Sequence, residues 1–411
     1  MKPHAHLKVL FFASYFPKPD NPLMGTWALS EAQALIRQNV DVLTVSCTSW
    51  VPNFLAITPG SQSYSNCPQE FTWPGHVRVL YPRWAYYPVN PVKAWTYRNP
   101  QPYLYLAWKS VKRKLLSIIT SFNPDLIFCH HLLPNTWIIS QLPENFQQPI
   151  ISSDHDFDEI TDCNHLPQRR LAITTAIKRC KLSLAVSDRM ADDMRQLFPG
   201  HSVYTYHHGV DLPSRDLLSH PRPLALQGKK IVLSCALFSK RKSIPLLIES
   251  FCRIAHRHPN AVLRIIGGGP DEYNILQTIE QYDRKNQVTL LGKQPHNYVL
   301  QEMVWSDCFA LPSWNEPLGQ VYLEAMAAGK PIICCRDSGI NDIITHKLHG
   351  YSVPPNNTDQ VSEALDQMLR NDFDRLKMGN NALKLVKETL TWDSRAIKLI
   401  ELFNIALNSD L

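Results

Sequence analysis

A chain of 411 residues is too long for one ordinary hydrophobic core, and 44% hydrophobic with 19% charged content describes a globular protein, not a disordered or fibrous one. No apolar run reaches the roughly 18 residues that span a bilayer, no signal peptide is expected, and ten cysteines without CxxC or regular spacing argue for reduced thiols and a cytoplasmic location, which includes the inner face of the membrane. The net charge of +6 is uneven: residues 1–122 carry 12 Lys+Arg against 4 Asp+Glu, leaving −2 for the rest, so the N-terminal part favours anionic partners such as a membrane surface, and no arginine-rich arm points to nucleic acid.

Residues 7–13 (LKVLFFA) form the near-continuous apolar run of a parallel strand covered on both faces. A Pro-rich loop follows, then a helix over 27–38 and a strand over 40–46, which places Gly25 and Thr26 at the first helix N-terminus. Residues 47–102 read as a long loop dense in Pro, Trp and Tyr, a composition suited to a water–lipid interface or a sugar platform. Residues 103–122 have helical periodicity with Lys109, Lys112, Arg113 and Lys114 clustered. This is a core-packed helix with a wet basic face, membrane docking being the alternative.

Strands are predicted over 126–129 and 150–153, the second running into SSDHDFDEI. A strand over 180–187 and a helix over 188–197 close the first Rossmann-like domain at about 205. His207 and His208 are adjacent, so on a strand they face opposite ways and do not make a metal pair. Residues 206–228 are the linker, Pro-rich from 212 on. A second domain, 229–391, restarts the alternation with a strand over 231–236, a helix over 244–257 and a strand over 261–266. Gly267, Gly268 and Gly269 then let backbone approach a ligand, without the GxGxxG spacing of a dinucleotide site. A strand over 288–292 follows, and helices are predicted over 358–369 and 392–407, the latter crossing back to the first domain as a segment 392–411.

Residues 308–335 (CFALPSWNEPLGQVYLEAMAAGKPIICC) read as strand, loop, helix and strand. In doubly wound sheets ligands sit at the carboxyl ends of strands, where a helix start offers free N–H groups to an anion. Glu316 precedes that helix and Glu324 lies two turns in, beside small apolar residues. A carboxylate there is either part of a solvated face or has a specific partner. Sugar hydroxyls are apt partners, because an ionised carboxylate accepts two hydroxyl bonds at once.

The run PSWNEPLGQVYLEAMAAGKPII resembles the glutamate-x7-glutamate signature of retaining GT-B glycosyltransferases of the group 1/family 4 type, which include sucrose and glycogen synthases and bacterial polysaccharide glycosyltransferases. The resemblance implies an α/β GT-B fold of two Rossmann-like domains facing across a cleft. It implies transfer of a hexosyl unit, with retention, from a nucleotide-diphosphate sugar to a glycan or lipid-linked acceptor, in cell-surface polysaccharide assembly. By the same resemblance Glu316 contacts donor-sugar hydroxyls and Glu324 the ribose, while the turn of Pro317, Leu318 and Gly319 presents backbone N–H groups. His155 stands beside the reacting sugar, and Lys242 binds the diphosphate. Gly25, Thr26 and Gly268 bring backbone to the donor.

One departure stands out: the Arg that the family pairs with its phosphate-binding Lys falls on Leu237, so Arg241 or Lys240 must reach in. Asp154, Asp156 and Asp158 suggest a DxD metal motif, but this fold neutralises the diphosphate with helix ends and cationic side chains, and no metal or other cofactor is expected. An inactive nucleotide-sugar-binding protein and a nucleotide-sugar epimerase remain as alternatives.

Overall fold

The computed structural model describes residues 7–87, 92–282 and 286–408. The chain folds as two compact units, one of Met1–His208 with Trp392–Leu411 and the other of Gly209–Thr391.

The first unit is built on eight strands: β1 (Lys8–Phe12), β2 (Asp41–Val45), β3 (Glu70–Trp73), β4 (Val77–Leu80), β5 (Leu126–His130), β6 (Ile150–Asp154), β7 (Cys180–Ala185) and β8 (Val203–Thr205). They lie in the order β8-β7-β6-β5-β1-β2-β4-β3, all parallel except the β3–β4 pair. Side chains alternate across the central strand. Val9 and Phe11 face a core shared with helix α1 (Thr26–Arg37), whereas Leu10 and Phe12 face helix α2 (Pro100–Phe122). On α2, Leu104, Trp108, Val111 and Leu115 make the buried stripe, and Lys109, Arg113 and Lys114 stay exposed. The last helix, Trp392–Asn408, buries Trp392, Ala396, Leu399 and Phe403 in the α1 side of this core.

Residues 47–102 are not the long loop that their composition suggests. They hold β3 and β4, a small two-stranded ribbon of Thr48–Ser49 with Arg83–Trp84, and helices Pro59–Ser65 and Val92–Arg98; residues 88–91 lie outside the described residues. Strand β4 is the four-residue VRVL, with Val77 and Val79 fully buried and Arg78 turned outward to Glu70 at 2.6 Å. Four residues are too few for alternation to register against flanking prolines and aromatics. The linker also contains a helical turn, Arg215–Ser219, whose Ser214 hydroxyl accepts from the Leu217 N–H at 3.2 Å.

The second unit is an all-parallel sheet of β9 (Lys230–Leu237), β10 (Ala261–Gly268), β11 (Val288–Leu290), β12 (Cys308–Ala310), β13 (Ile332–Cys335) and β14 (Gly350–Val353), in the order β11-β10-β9-β12-β13-β14. The chain winds outward from β9 through β10 to β11, then returns to β12 on the other side. The carboxyl ends of β9 and β12 therefore flank the topological switch point, where doubly wound sheets bind ligands. In the first unit the equivalent point lies between β1 and β5. No described helix is long and apolar enough to cross a membrane.

Candidate active site

Two loops leave the switch point of the second unit. After β9, residues Lys240–Lys242 make one 3-10 turn, and Ser243 takes a left-handed φ of 52° before helix α3 (Ile244–Ile254). After β12, residues 311–319 lead into helix α5 (Gln320–Ala327), with helix α4 (His296–Trp305) preceding β12. The loops are tied together: the Trp314 N–H donates to the Arg241 carbonyl at 3.0 Å, and Lys242 Nζ is ion-paired with Glu316 Oε2. The Ser313 hydroxyl donates to the same carboxylate at 2.8 Å. The side chains of Lys242 and Glu316 are only 13% and 9% exposed, so this is a desolvated pair.

Helix α5 starts at Gly319, with φ 83° and no side-chain cap. A Cβ at this position would lie 2.6 Å from the Tyr322 ring and 3.2 Å from Glu316 Cγ, so both dihedral and space demand glycine. The first N–H groups of α5 are thus left for an anion, with Glu316 beside them. Pro317 and Leu318 complete the turn. Asn315 Oδ1 and Gln320 Oε1 are buried there without a hydrogen-bond partner among the described residues. Glu324, one turn into α5, has a protein partner: His296 Nε2 lies 2.9 Å from Glu324 Oε1, with side chains 50% and 16% exposed. That carboxylate raises the His296 pKa above its ordinary value. Gly268 ends β10, in register with Leu237 on β9.

The first unit gathers a different set. Gly25 takes φ 70° at the start of α1, and a Cβ on it would sit 2.3 Å from the Tyr15 carbonyl oxygen; Thr26 is the first helical residue. His130 ends β5, His131 follows it, and His155 follows the neighbouring β6. His155 Nε2 lies 3.0 Å from His130 Nδ1, and His155 Nδ1 lies 2.7 Å from His208 Nε2. Both ring nitrogens of His155 are therefore taken by other imidazoles. Burial, reinforced by the neighbouring rings, holds its pKa well below the ordinary histidine range. A direct hydrogen bond from His155 to a sugar, expected from the sequence, meets a ring with no spare nitrogen.

Asp154, one residue earlier, accepts from the His155 N–H at 2.9 Å and is fully buried. Burial first, then Glu159, raises its pKa well above the usual carboxylate range. His131, Asp154 and Glu159 bring ligand atoms within 4.8 Å of one another. Glu159 is already compensated by Arg169 Nη2 at 2.7 Å. Asp156 instead caps the short helix Phe157–Thr161 through the Asp158 N–H at 3.1 Å, so the DxD residues do not converge on one point.

Comparison with known proteins decides the family. Residues 219–385 match the family described as Glycosyl transferases group 1, and residues 24–213 match Glycosyltransferase Family 4. The chain belongs to the GT-B glycosyltransferases of this group 1/family 4 type. An uncharacterized glycosyltransferase of Methanocaldococcus jannaschii is 26% identical over 351 residues, covering 80% of this chain and 89% of that protein. The N-acetyl-alpha-D-glucosaminyl L-malate synthase of Bacillus anthracis is 26% identical over 323 residues, covering 77% and 82%. Among solved structures, sucrose-phosphate synthase from Thermosynechococcus elongatus shares the fold at a TM-score of 0.74 and 17% identity, covering 97% of this chain and 98% of its own. Anabaena HepE in complex with UDP-glucose gives 0.68 at 17% identity, covering 97% and 100%.

In this glycosyltransferase the structure brings Lys242, Arg241, Glu316, Pro317, Leu318 and Gly319 together, with Glu324 farther along α5. His155, Gly25 and Thr26 belong to the other unit. Leu237 is 66% exposed at the end of β9 and supplies no charge. Sequence reasoning missed a nearby cation. The Lys293 alkyl chain lies along Gly268, where an added Cβ would be 2.8 Å from Lys293 Cε, and Lys293 has no ion-pair partner among the described residues. Its signal was a lysine three residues past a strand, facing a glycine on the neighbouring strand. Pairing across strands is not visible in one sequence.

Proposed function

We propose that this glycosyltransferase moves a hexosyl unit, with retention of configuration, from a nucleoside-diphosphate sugar to a glycan or lipid-linked acceptor in cell-surface polysaccharide assembly. The observation that carries this reading is the desolvated Lys242–Glu316 pair beside the uncapped start of α5 at the switch point. The Anabaena HepE structures in complex with UDP and glucose and with UDP-glucose support a nucleotide-sugar donor for the fold.

Breaking the anomeric bond puts negative charge on the leaving phosphate and positive charge on the sugar. The N–H groups at the start of α5 and the cations Lys242 and Arg241 are matched to the phosphate. Glu316 and the unpartnered acceptors of Asn315 and Gln320 are matched to sugar hydroxyls. Glu324 takes the ribose once His296 gives way. Lys242 can turn from Glu316 to the diphosphate when the sugar hydroxyls replace it on the carboxylate, an exchange that keeps both charges compensated. No metal is needed in this scheme.

Titrating UDP, GDP and ADP sugars by calorimetry, followed by product analysis with acceptor extracts, tests the proposal. One donor class should bind and be turned over with retained configuration, and chelator should leave the rate unchanged. An inverted product or a chelator-sensitive rate counts against those parts of the reading. Leu237 favours a second reading, a protein that binds nucleotide sugar without transferring it; binding with no turnover against any acceptor selects it. A changed sugar nucleotide without acceptor selects an epimerase. Contact with an anionic membrane is proposed from the basic first unit and from Trp50, Phe54, Leu55 and Ile57, all more than half exposed within eight residues. Vesicle sedimentation with and without anionic lipid tests it.

A further inference from the structure

Glu31, His130, His155 and His208 come from α1, the end of β5, the residue after β6 and the segment after β8, yet they form one row. His208 Nε2 lies 2.7 Å from His155 Nδ1, and His155 Nε2 lies 3.0 Å from His130 Nδ1. His130 Nε2 lies 2.9 Å from Glu31 Oε2, off the line of a straight hydrogen bond. The Trp27 indole backs the row, stacked on His130 at 5.0 Å and 23° and on His208 at 5.4 Å and 12°, and tilted on His155 at 4.5 Å. Burial pushes the His208 pKa down to about 4, and His155 is also held low, so these two imidazoles are neutral near pH 7.

A neutral imidazole has one N–H and one bare nitrogen. Two imidazoles facing each other need one proton between them, so the tautomer of one dictates the next. The row has two self-consistent orders, with every proton on Nε2 or every proton on Nδ1. An ionised carboxylate only accepts, and Glu31 meets Nε2 of His130. Arg395 lies over the Tyr206 ring at 4.7 Å, and its guanidinium is close enough to interact electrostatically with Glu31.

We propose that Glu31 sets the proton order of this row, making His130, His155 and His208 all Nε2–H tautomers and leaving His208 Nδ1 bare as an acceptor for a substrate hydroxyl. His208 Nδ1 has no hydrogen-bond partner among the described residues. Glu31, His130 and His155 are then positioning residues, acting through His208. The hydroxyl assignment rests on the sugar-transfer reading above, whereas the proton order does not.

Long-range nitrogen-15 NMR on the full chain with labelled histidine reads the tautomers directly. Nε2–H is expected at His130, His155 and His208 in the wild-type protein, and a mixture at all three in Glu31→Met. An Nδ1–H form at any of the three in the wild type, or unchanged tautomers in Glu31→Met, overturns the proton order. The wild-type spectrum decides even if that variant does not fold. In transfer assays His208→Phe should lower kcat/KM about ten-fold, the worth of one hydrogen bond, and His208→Asn, whose oxygen can stand in for Nδ1, should recover most of it. The Nε2–H order with His208→Phe as active as wild type overturns the hydroxyl assignment alone. Loss of all transfer by the wild-type enzyme would count against the function and leave the NMR result to judge the row.

Discussion

Replacing Lys242 with Met removes a cation and leaves Glu316 with only the Ser313 hydroxyl at 2.8 Å. Both side chains of the pair are at least 87% buried by their 13% and 9% exposures, so solvent cannot take over. Breaking one side of a buried ion pair costs about 3 kcal/mol or more, and a unit the size of Gly209–Thr391 loses ~2–4 °C per kcal/mol. Lys242→Met should therefore lower the melting temperature of that unit by roughly 6–12 °C. The single variant Glu316→Gln strands the Lys242 cation at a similar cost, and the double variant Lys242→Met/Glu316→Gln, which removes both charges at similar volume, should recover to within about 1 kcal/mol of wild type, far from the sum of the two single costs. Differential scanning calorimetry is the assay for stability, and transfer of sugar is the assay for function. Activity should be lost in all three variants because each lacks a charge used in transfer. An additive double variant, or a Lys242→Met protein that melts like wild type, refutes the claim that the pair is held desolvated before the donor arrives.

Lys293→Ala should weaken binding of the nucleoside diphosphate about ten-fold or more if this lysine stands in for the missing arginine; adding Leu237→Arg to that variant should restore it, and calorimetry with UDP or GDP reads both. Gly319→Ala, at φ 83° and with its Cβ 2.6 Å from the Tyr322 ring, should cost ~1–3 kcal/mol in thermal unfolding and reduce donor affinity. His296 has its pKa raised by Glu324, so the pair's contribution is complete below the ordinary value of 6.5 and is lost as pH rises through the higher folded value. With Asp211 also facing it, the contribution is worth at most about 1 kcal/mol at this half-exposed site. If ribose displaces His296 from Glu324, donor affinity should rise over that same pH window, and His296→Asn should flatten the rise; a flat wild-type profile contradicts it.

Local pattern determined much of this protein. The apolar run at Lys8–Phe12 reads as a strand buried on both faces, and residues 308–335 read as strand, loop, helix and strand. These features fixed the alternation of strand and helix, and with it the resemblance to the GT-B enzymes and the candidate roles of Glu316, Glu324 and Lys242. The strand Val77–Leu80 escaped because its two buried valines alternate with Arg78 and do not form a continuous apolar run. Pairing was decided by tertiary structure alone. Lys242 meets Glu316 across 74 residues, His296 meets Glu324 across 28, and Glu31 reaches His130 on another element. His155 illustrates the division. Its position after a strand was readable in the sequence, but the two imidazoles that occupy its nitrogens arrive from residues 130 and 208. A hydrogen bond depends on distances of tenths of an ångström between chain segments, which only the strand order at the switch point sets.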